Sequence, residues 1–403
     1  MEIVPSIQFD DTQVAFSYKN DRELKKANFI FSLVNNPTVS AIATSLAKIS
    51  LALRLPVKGL IRMTVFEHFC GGETIEESEK MIEKLARFKV GTILDYSVEG
   101  EDDEVSFDKT TQELLSTFDE AKKNSSVPFC VFKVTGLGAS DLLEKIVAKS
   151  SLSGDEAAAF ERIRSRVDSI CKKAYELQIP VLIDAEDSWI QNPIDELAYE
   201  MMRKYNGQKA VVFNTFQMYR ADMLGNLRNA FHEAAMYNYF LGVKMVRGAY
   251  MEKEAERAAR IGYANPIHPN KQASDDSFNK GLAFCIDNKQ RISVVCGSHN
   301  EYSNQYLTVL MNKHGMANND NRVWFAQLLG MSDNISFNLA KAGYNVAKYV
   351  PYGPVESVMP YLLRRASENT SVAGQSSREL ILIRKELKRR KAIWKFIWCI
   401  SIR

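Results

Sequence analysis

From residue 90 onward the hydrophobic pattern of the chain switches period repeatedly. Short apolar runs rich in β-branched residues stand at 90–98, 129–135, 179–184, 210–216, 243–250, 292–298, 323–328 and 346–351. Between them, as at 157–177, 221–241 and 274–287, apolar residues recur at three- and four-residue spacing. The short runs are nearly continuous in hydrophobicity, as strands covered on both faces must be, and the longer ones carry the stripe of amphipathic helices. Eight strand–helix repeats predict a (β/α)8 barrel, with a doubly wound open sheet as the alternative. Both architectures put ligands at the carboxyl ends of the strands.

Ahead of this rhythm, residues 1–85 read as a helical arm. Helical spacing covers 21–34 and 39–53, Pro56 and Gly59 interrupt it, and a further helix is expected at 75–88. The barrel then occupies 86–379, and 380–403 form a tail of separate character.

The strand ends carry the polar residues that the barrel reading calls for. They are Lys133, Asp184 with Glu186, Asn214 with Gln217, Arg247 with Tyr250, His299 with Asn300, Gln327 and Tyr349. Any one of them reads equally as a helix cap or a loop residue, but seven strand ends together mark a site. Just beyond the last strand, Tyr361-Leu-Leu-Arg364-Arg365-Ala-Ser-Glu368 puts an aromatic, two guanidiniums and a carboxylate within single helical turns of one another. Taken alone, this is also the pattern of a solvated helix with an ion pair. Beside seven polar strand ends it predicts an anion site, because an arginine fork matches a carboxylate or phosphate in two parallel hydrogen bonds.

Composition narrows the class. With 46% hydrophobic and 25% charged residues and a net charge of +3, the chain is globular and does not have the bulk charge of a nucleic-acid-binding protein. Six scattered cysteines without a CxxC pair predict reduced thiols and a cytoplasmic setting. The five histidines lie apart with no HExxH, so no metal site is expected. The N-terminus lacks the features of a secretory or transit signal, and no apolar run is long enough to span a membrane. The segment Val134-Thr-Gly136-Leu-Gly138-Ala-Ser resembles the start of a dinucleotide fingerprint, but Asp141 stands where the third glycine belongs, and there is no P-loop. Lys133 at a strand end suits either a Schiff-base nucleophile or a cation for a substrate carboxylate. Gly248, in Lys244-Met-Val-Arg247-Gly-Ala-Tyr250, would permit close approach of backbone to a ligand.

Four motifs in this order, Val181-Leu-Ile-Asp184-Ala-Glu186, Lys244-Met-Val-Arg247-Gly-Ala-Tyr250, Ser298-His299-Asn300 and Tyr361-Leu-Leu-Arg364-Arg365-Ala-Ser-Glu368-Asn369, closely resemble the proline dehydrogenase family in its monofunctional branch. The resemblance runs from about Gly91 to about Arg390. It implies a distorted (β/α)8 TIM-type barrel that binds FAD, oxidises L-proline and passes electrons to membrane quinone. Arg364 and Arg365 would pair with the proline carboxylate, helped by Lys133, while Tyr361 and Tyr250 wall the ring. Glu101 would close a lid over the substrate by pairing with the first arginine. Lys244 would lie near flavin N5, where bifunctional members have arginine. Asp184, Ala185, Asn214, Arg247, Gly248, Gly297, Ser298, His299, Asn300, Gln327, Tyr349 and Glu368 would contact FAD or support its site. Asn214 stands where bifunctional members have Gln, and Met251 where they have Trp. Members acting on hydroxyproline carry a smaller residue at the position of Tyr361, so Tyr361 favours proline.

The tail carries eight Lys or Arg between Arg384 and Arg403 against the single acid Glu386, with Trp394 and Trp398 and several aliphatics. Such a segment suits either a helix lying on an anionic membrane surface, at the inner face of the cytoplasmic membrane, or a helix docked on the barrel with a solvated basic side. Two further classes compete with a flavoenzyme: a Schiff-base lyase or aldolase using Lys133, and a non-enzymatic adaptor led by the tail.

Overall fold

A computed structural model describes residues 7–35, 58–98, 102–371 and 375–401. Eight parallel strands close a barrel in sequential order: β1 Gly91–Tyr96, β2 Phe129–Phe132, β3 Val181–Ile183, β4 Val212–Gln217, β5 Leu241–Val246, β6 Ile292–Gly297, β7 Val323–Leu328 and β8 Val346–Tyr352. The closing pair β8–β1 sets Tyr349 opposite Ile93 and Tyr352 opposite Tyr96. Each expected run overlaps its strand, although β4 and β8 run one residue past theirs and β5 begins two residues earlier, at Leu241. Expected helices at 21–34, 75–88, 157–177, 221–241 and 274–287 correspond to Asp21–Val34, Ile75–Ala86, Gly154–Leu177, Met223–Met236 and Lys271–Asp287. The helix expected at 39–53 lies outside the described residues.

Because strand side chains alternate between faces, the strands feed two cores. Ile93, Phe129, Val131, Leu182, Phe213, Val295, Ala326, Ala347 and Tyr349 fill the barrel interior. The alternate positions, among them Leu94, Cys130, Val243, Met245, Cys296 and Phe325, pack against the surrounding helices. This alternation decides which polar residues at the strand ends can reach the barrel mouth.

A third core ties the two ends of the chain together. Phe16, Leu24, Ile30 and Phe31 of the arm pack with Val355, Val358, Tyr361 and Leu362 and with Leu380, Leu382 and Ile383. The last three belong to one helix, Gln375–Ser401, so position 380 falls inside a continuous helix. Burying each such aliphatic is worth about 1.5–3 kcal/mol before entropy, enough to hold this helix against the arm. Arg390 of the same helix pairs with Asp21 at 2.9 Å, and Thr12 Oγ1 donates to Glu386 at 3.0 Å. No helix among the described residues is long and apolar enough to cross a membrane.

Candidate active site

The carboxyl ends of β1, β2, β3, β5 and β8 bring their inward-facing polar residues to one mouth. Lys244 Nζ lies 2.5 Å from Asp184 Oδ1 and 4.4 Å from the Tyr349 ring centroid, with both charged side chains largely shielded from water. Burial and the Asp184 carboxylate push the Tyr349 phenol up, so it stays protonated. Asp95, buried at the end of β1, accepts from Ser97 Oγ at 3.0 Å. Its acidity is weakened by burial and by Asp184, against the pull of Lys133 and Lys244. Two carboxylates and two ammonium groups thus face one another across the mouth. These four charges cancel, so an incoming anion adds one negative charge, which proton uptake by the weakened acid Asp95 would offset.

A second cluster lies beside it. The Tyr250 phenol is raised mainly by burial, with Lys133 and Arg364 lowering it and Glu186 raising it. Glu186 accepts from Thr135 N at 3.0 Å and Thr135 Oγ1 at 2.5 Å, which anchors it behind Lys133. Arg364 comes from the helix Val355–Ser371, where Tyr361 and Arg365 are both buried and the Arg365 guanidinium sits 5.3 Å from the Tyr361 ring centroid. Arg365 bears instead on His299, whose imidazole is held neutral, at about 3, by burial and by the cations Lys348, Arg365 and Arg247. The one-turn spacing seen in the sequence therefore delivers its two arginines to two neighbouring clusters.

Arg247 is built into a rigid corner. Its Nε reaches Asp275 Oδ1 at 2.6 Å, and its terminal nitrogens donate to Ser298 Oγ and Ser303 Oγ, each at 2.9 Å. The guanidinium lies 4.4 Å from the Phe278 ring centroid. With three of five N–H groups used there, two are left to meet a ligand. Asn300 caps the helix Glu301–Lys313, accepting from Ser303 N at 3.0 Å. Ala185 sits between Asp184 and Glu186 at the end of β3.

Several expected ligand contacts take other places. Asn214 lies on the outer face of β4, donates to Asp195 Oδ1 at 2.8 Å and packs toward the helix Ser188–Tyr205. Gln327 also faces outward, donating to the Ser298 carbonyl at 3.1 Å and accepting from Ser336 Oγ at 2.7 Å. The inward positions of β4 are Phe213, Thr215 and Gln217. Gln217 Oε1 is buried without a hydrogen-bond partner in the protein, so Gln217 and not Asn214 offers an unsatisfied amide to the mouth. Gly248 has φ +131°, and a Cβ there would lie 2.4 Å from the Tyr219 ring, so the nearest neighbour demanding glycine is Tyr219. A Cβ on Gly297 would lie 2.9 Å from Val246 Cγ1, again a packing reason. Glu101 lies outside the described residues, as does the side chain of Glu368.

The residues present fit a large anionic cofactor such as FAD. The orphaned Gln217 Oε1 offers an acceptor, and Lys244, the unused N–H groups of Arg247 and the neutral His299 add donors around one mouth, a mixed set of the kind a dinucleotide requires. Sequence reasoning missed Asp95, although it is the one acid inside the 90–98 run, and, having named Gln217 beside Asn214 at the strand end, gave the cofactor contact to Asn214 alone, which a period-two count from Phe213 would have reversed. No group of three or more metal-ligating side chains occurs among the described residues.

The family model for proline dehydrogenase matches residues 78–378. The chain belongs to the proline dehydrogenase family. Membership makes it an oxidoreductase acting on proline and sets aside the lyase and adaptor readings. It is 32% identical over 431 residues to "Proline dehydrogenase 1, mitochondrial" of Dictyostelium discoideum, covering 94% of this chain and 74% of that one. It is also 35% identical over 322 residues to the carbapenem antibiotics biosynthesis protein CarD of Pectobacterium carotovorum, covering 80% and 83%. Among solved structures, proline utilization A from Bdellovibrio bacteriovorus aligns with a TM-score of 0.69 at 20% identity, covering 93% of this chain and 40% of that one. At that identity the likeness speaks for the fold.

Proposed function

We propose that the chain oxidises L-proline to Δ1-pyrroline-5-carboxylate with FAD as the bound oxidant, and that the electrons pass on to membrane quinone. What most supports this reading is the gathering of Lys133, Arg364 and Tyr250 at the mouth of a barrel whose sequence belongs to this family. The flavin, when bound, supplies the acceptor for the hydride leaving proline C5.

The chain's own residues bind, orient and exclude water. Arg364, with Lys133, holds the carboxylate of proline and fixes its ring against Tyr361 and Tyr250, while Arg365 closes the site from the His299 side. Orientation of this kind can contribute several kcal/mol to the barrier reduction. Lys244, locked on Asp184, stands beside the reacting face as a fixed positive charge, while Arg247, Gln217 and His299 hold the cofactor. The exposed face of the C-terminal helix, with Arg384, Lys385, Lys388 and Lys391, serves as the contact with an anionic membrane surface. The test is whether purified protein carries flavin absorbance that L-proline bleaches.

A further inference from the structure

The segment 329–332, which carries the chain from β7 to the helix Asp333–Lys341, is held by side chains from three distant parts of the molecule. Lys348, on the outer face of β8, donates to the Leu328 carbonyl at 3.3 Å and to the Met331 carbonyl at 2.5 Å. His68 of the arm meets the Gly330 carbonyl through Nε2 at 3.1 Å. Glu379, near the start of the C-terminal helix, accepts from the Ser332 backbone N–H. Gly330 has φ +77°, and a Cβ on it would lie 2.5 Å from the His68 carbonyl oxygen, so the segment has no room to shift toward the arm. Ser332 itself is left-handed at φ +50°, a conformation that a non-glycine residue keeps only when its surroundings enforce it.

Behind the segment lies a buried ionic cluster. Asp333 meets Lys348 at 3.0 Å and Lys19 at 2.6 Å, and accepts from the Tyr18 hydroxyl at 2.8 Å. Lys19, Lys348, Asp333 and Glu379 are each less than a tenth exposed. The two cations can be buried together because the Asp333 carboxylate lies between them, with Glu379 as a second acid beside it. The cluster ends at the active site, where Ser332 Oγ lies 2.9 Å from His299 Nδ1. Among the described residues, Ser332 Oγ has no other hydrogen-bond partner, so its one proton is best used on Nδ1.

We propose that Glu379 is a positioning residue for His299. By fixing the Ser332 amide it aims the Ser332 hydroxyl at Nδ1, and so keeps the imidazole in the tautomer with its proton on Nε2. His299 then presents a donor on the side away from the segment, and the C-terminal helix becomes part of the support of the active site. The neutral state imposed on His299 by burial and its cationic neighbours agrees with this arrangement. The inference rests on the proposed function only for the identity of the ligand that receives the donor.

The test uses the full chain labelled with 15N-histidine, with the His299 signals assigned by their loss in His299→Gln. The wild type is expected to show a protonated Nε2 and a bare Nδ1. Ser332→Ala and Glu379→Ala should each mix the tautomers and weaken FAD binding about tenfold, the worth of one good hydrogen bond. Their combination should weaken it no more than the larger single change, because both act through one contact. Glu379→Gln, which retains an acceptor for the Ser332 N–H, should restore both readings. A wild type protonated on Nδ1 would overturn the proposal, as would an unchanged tautomer in folded Ser332→Ala or additive losses in the double variant. Should Glu379→Ala fail to fold, Ser332→Ala and Glu379→Gln decide the matter. A wild type that binds no FAD would sink the proposed function while leaving the tautomer measurement decisive here.

Discussion

Arg364 and Arg365 are adjacent in sequence yet answer to different neighbours, one to Tyr250 with Lys133 and Glu186, the other to His299 and the Tyr361 ring. Their roles should therefore separate. Replacing Arg364 by Met removes one charge-assisted contact to the substrate carboxylate, worth about 1.5–3 kcal/mol, so the KM for proline should rise by roughly 10- to 150-fold. Flavin content should be unchanged, and steady-state kinetics with a measured flavin-to-protein ratio checks both; an unaltered KM removes Arg364 from substrate binding. Tyr361 is buried in the core shared by its own helix and the arm. Tyr361→Ser should shift the ratio of kcat/KM toward hydroxyproline, and a ratio equal to that of the wild type would deny Tyr361 a part in selectivity.

At the scale of elements, the C-terminal helix resolves part of the choice left open by its sequence. Leu380, Leu382, Ile383 and Glu386 face the arm, whereas Ile381, Lys388 and Lys391 face water, and the exposed Arg384 and Lys385 reach back to Asn28 Oδ1 and the Asp10 carbonyl at the rim of the contact. Docking thus uses one face of the described part and leaves a basic face outward. Each basic residue near an anionic membrane is worth about 1 kcal/mol, so Arg384→Glu with Lys388→Glu and Lys391→Glu should weaken co-sedimentation with anionic liposomes on the order of 100-fold. Wild-type binding should also fall with salt. Equal partitioning of the two proteins would eliminate the membrane role without disturbing the docked face.

The same scale shows what the sequence made legible. All eight strands could be read, because a buried parallel strand is a continuous apolar run with its own composition. The tandem-arginine helix was equally legible, since its neighbours are one turn apart. What the hydrophobic pattern alone could not supply was the partner across the fold. Lys348 reads as one polar interruption in an apolar run, and its pairing with Asp333 and Lys19 depends on closure of the barrel and on return of the arm. Asn214 and Gln217 differ only in strand face, and the face becomes visible once Phe213 is known to point inward.

For the molecule as a whole, the arm, the tandem-arginine helix and the C-terminal helix share one core, so stability and site geometry are coupled. His68 lies in that core, and burial, reinforced by Lys19, holds its imidazole at about 3 against an ordinary value near 6.5. Here the unfolded chain binds a proton that the native state refuses, so stability is fully present above about 6.5 and is lost as pH falls toward 3. The loss from His68 alone should reach about 2 kcal/mol by pH 5, at 1.36 kcal/mol per unit. Glu379 runs the other way: burial and Asp333 raise it to about 7, so its contribution favours the fold at low pH. Urea unfolding at pH 7.5 and pH 5 should show a smaller decline for His68→Gln than for the wild type, and identical slopes would contradict the assignment.

The central proposal is a flavin held at the mouth of this barrel and reduced by proline. Anaerobic titration of the purified full-length protein with L-proline, followed by visible absorbance, measures both at once. The protein should be yellow as isolated or after FAD is added, its flavin band should bleach on adding L-proline, and Arg364→Met should need far more proline for the same bleaching. A protein that takes up no FAD, or one whose bound flavin stays oxidised under saturating L-proline, would contradict the account.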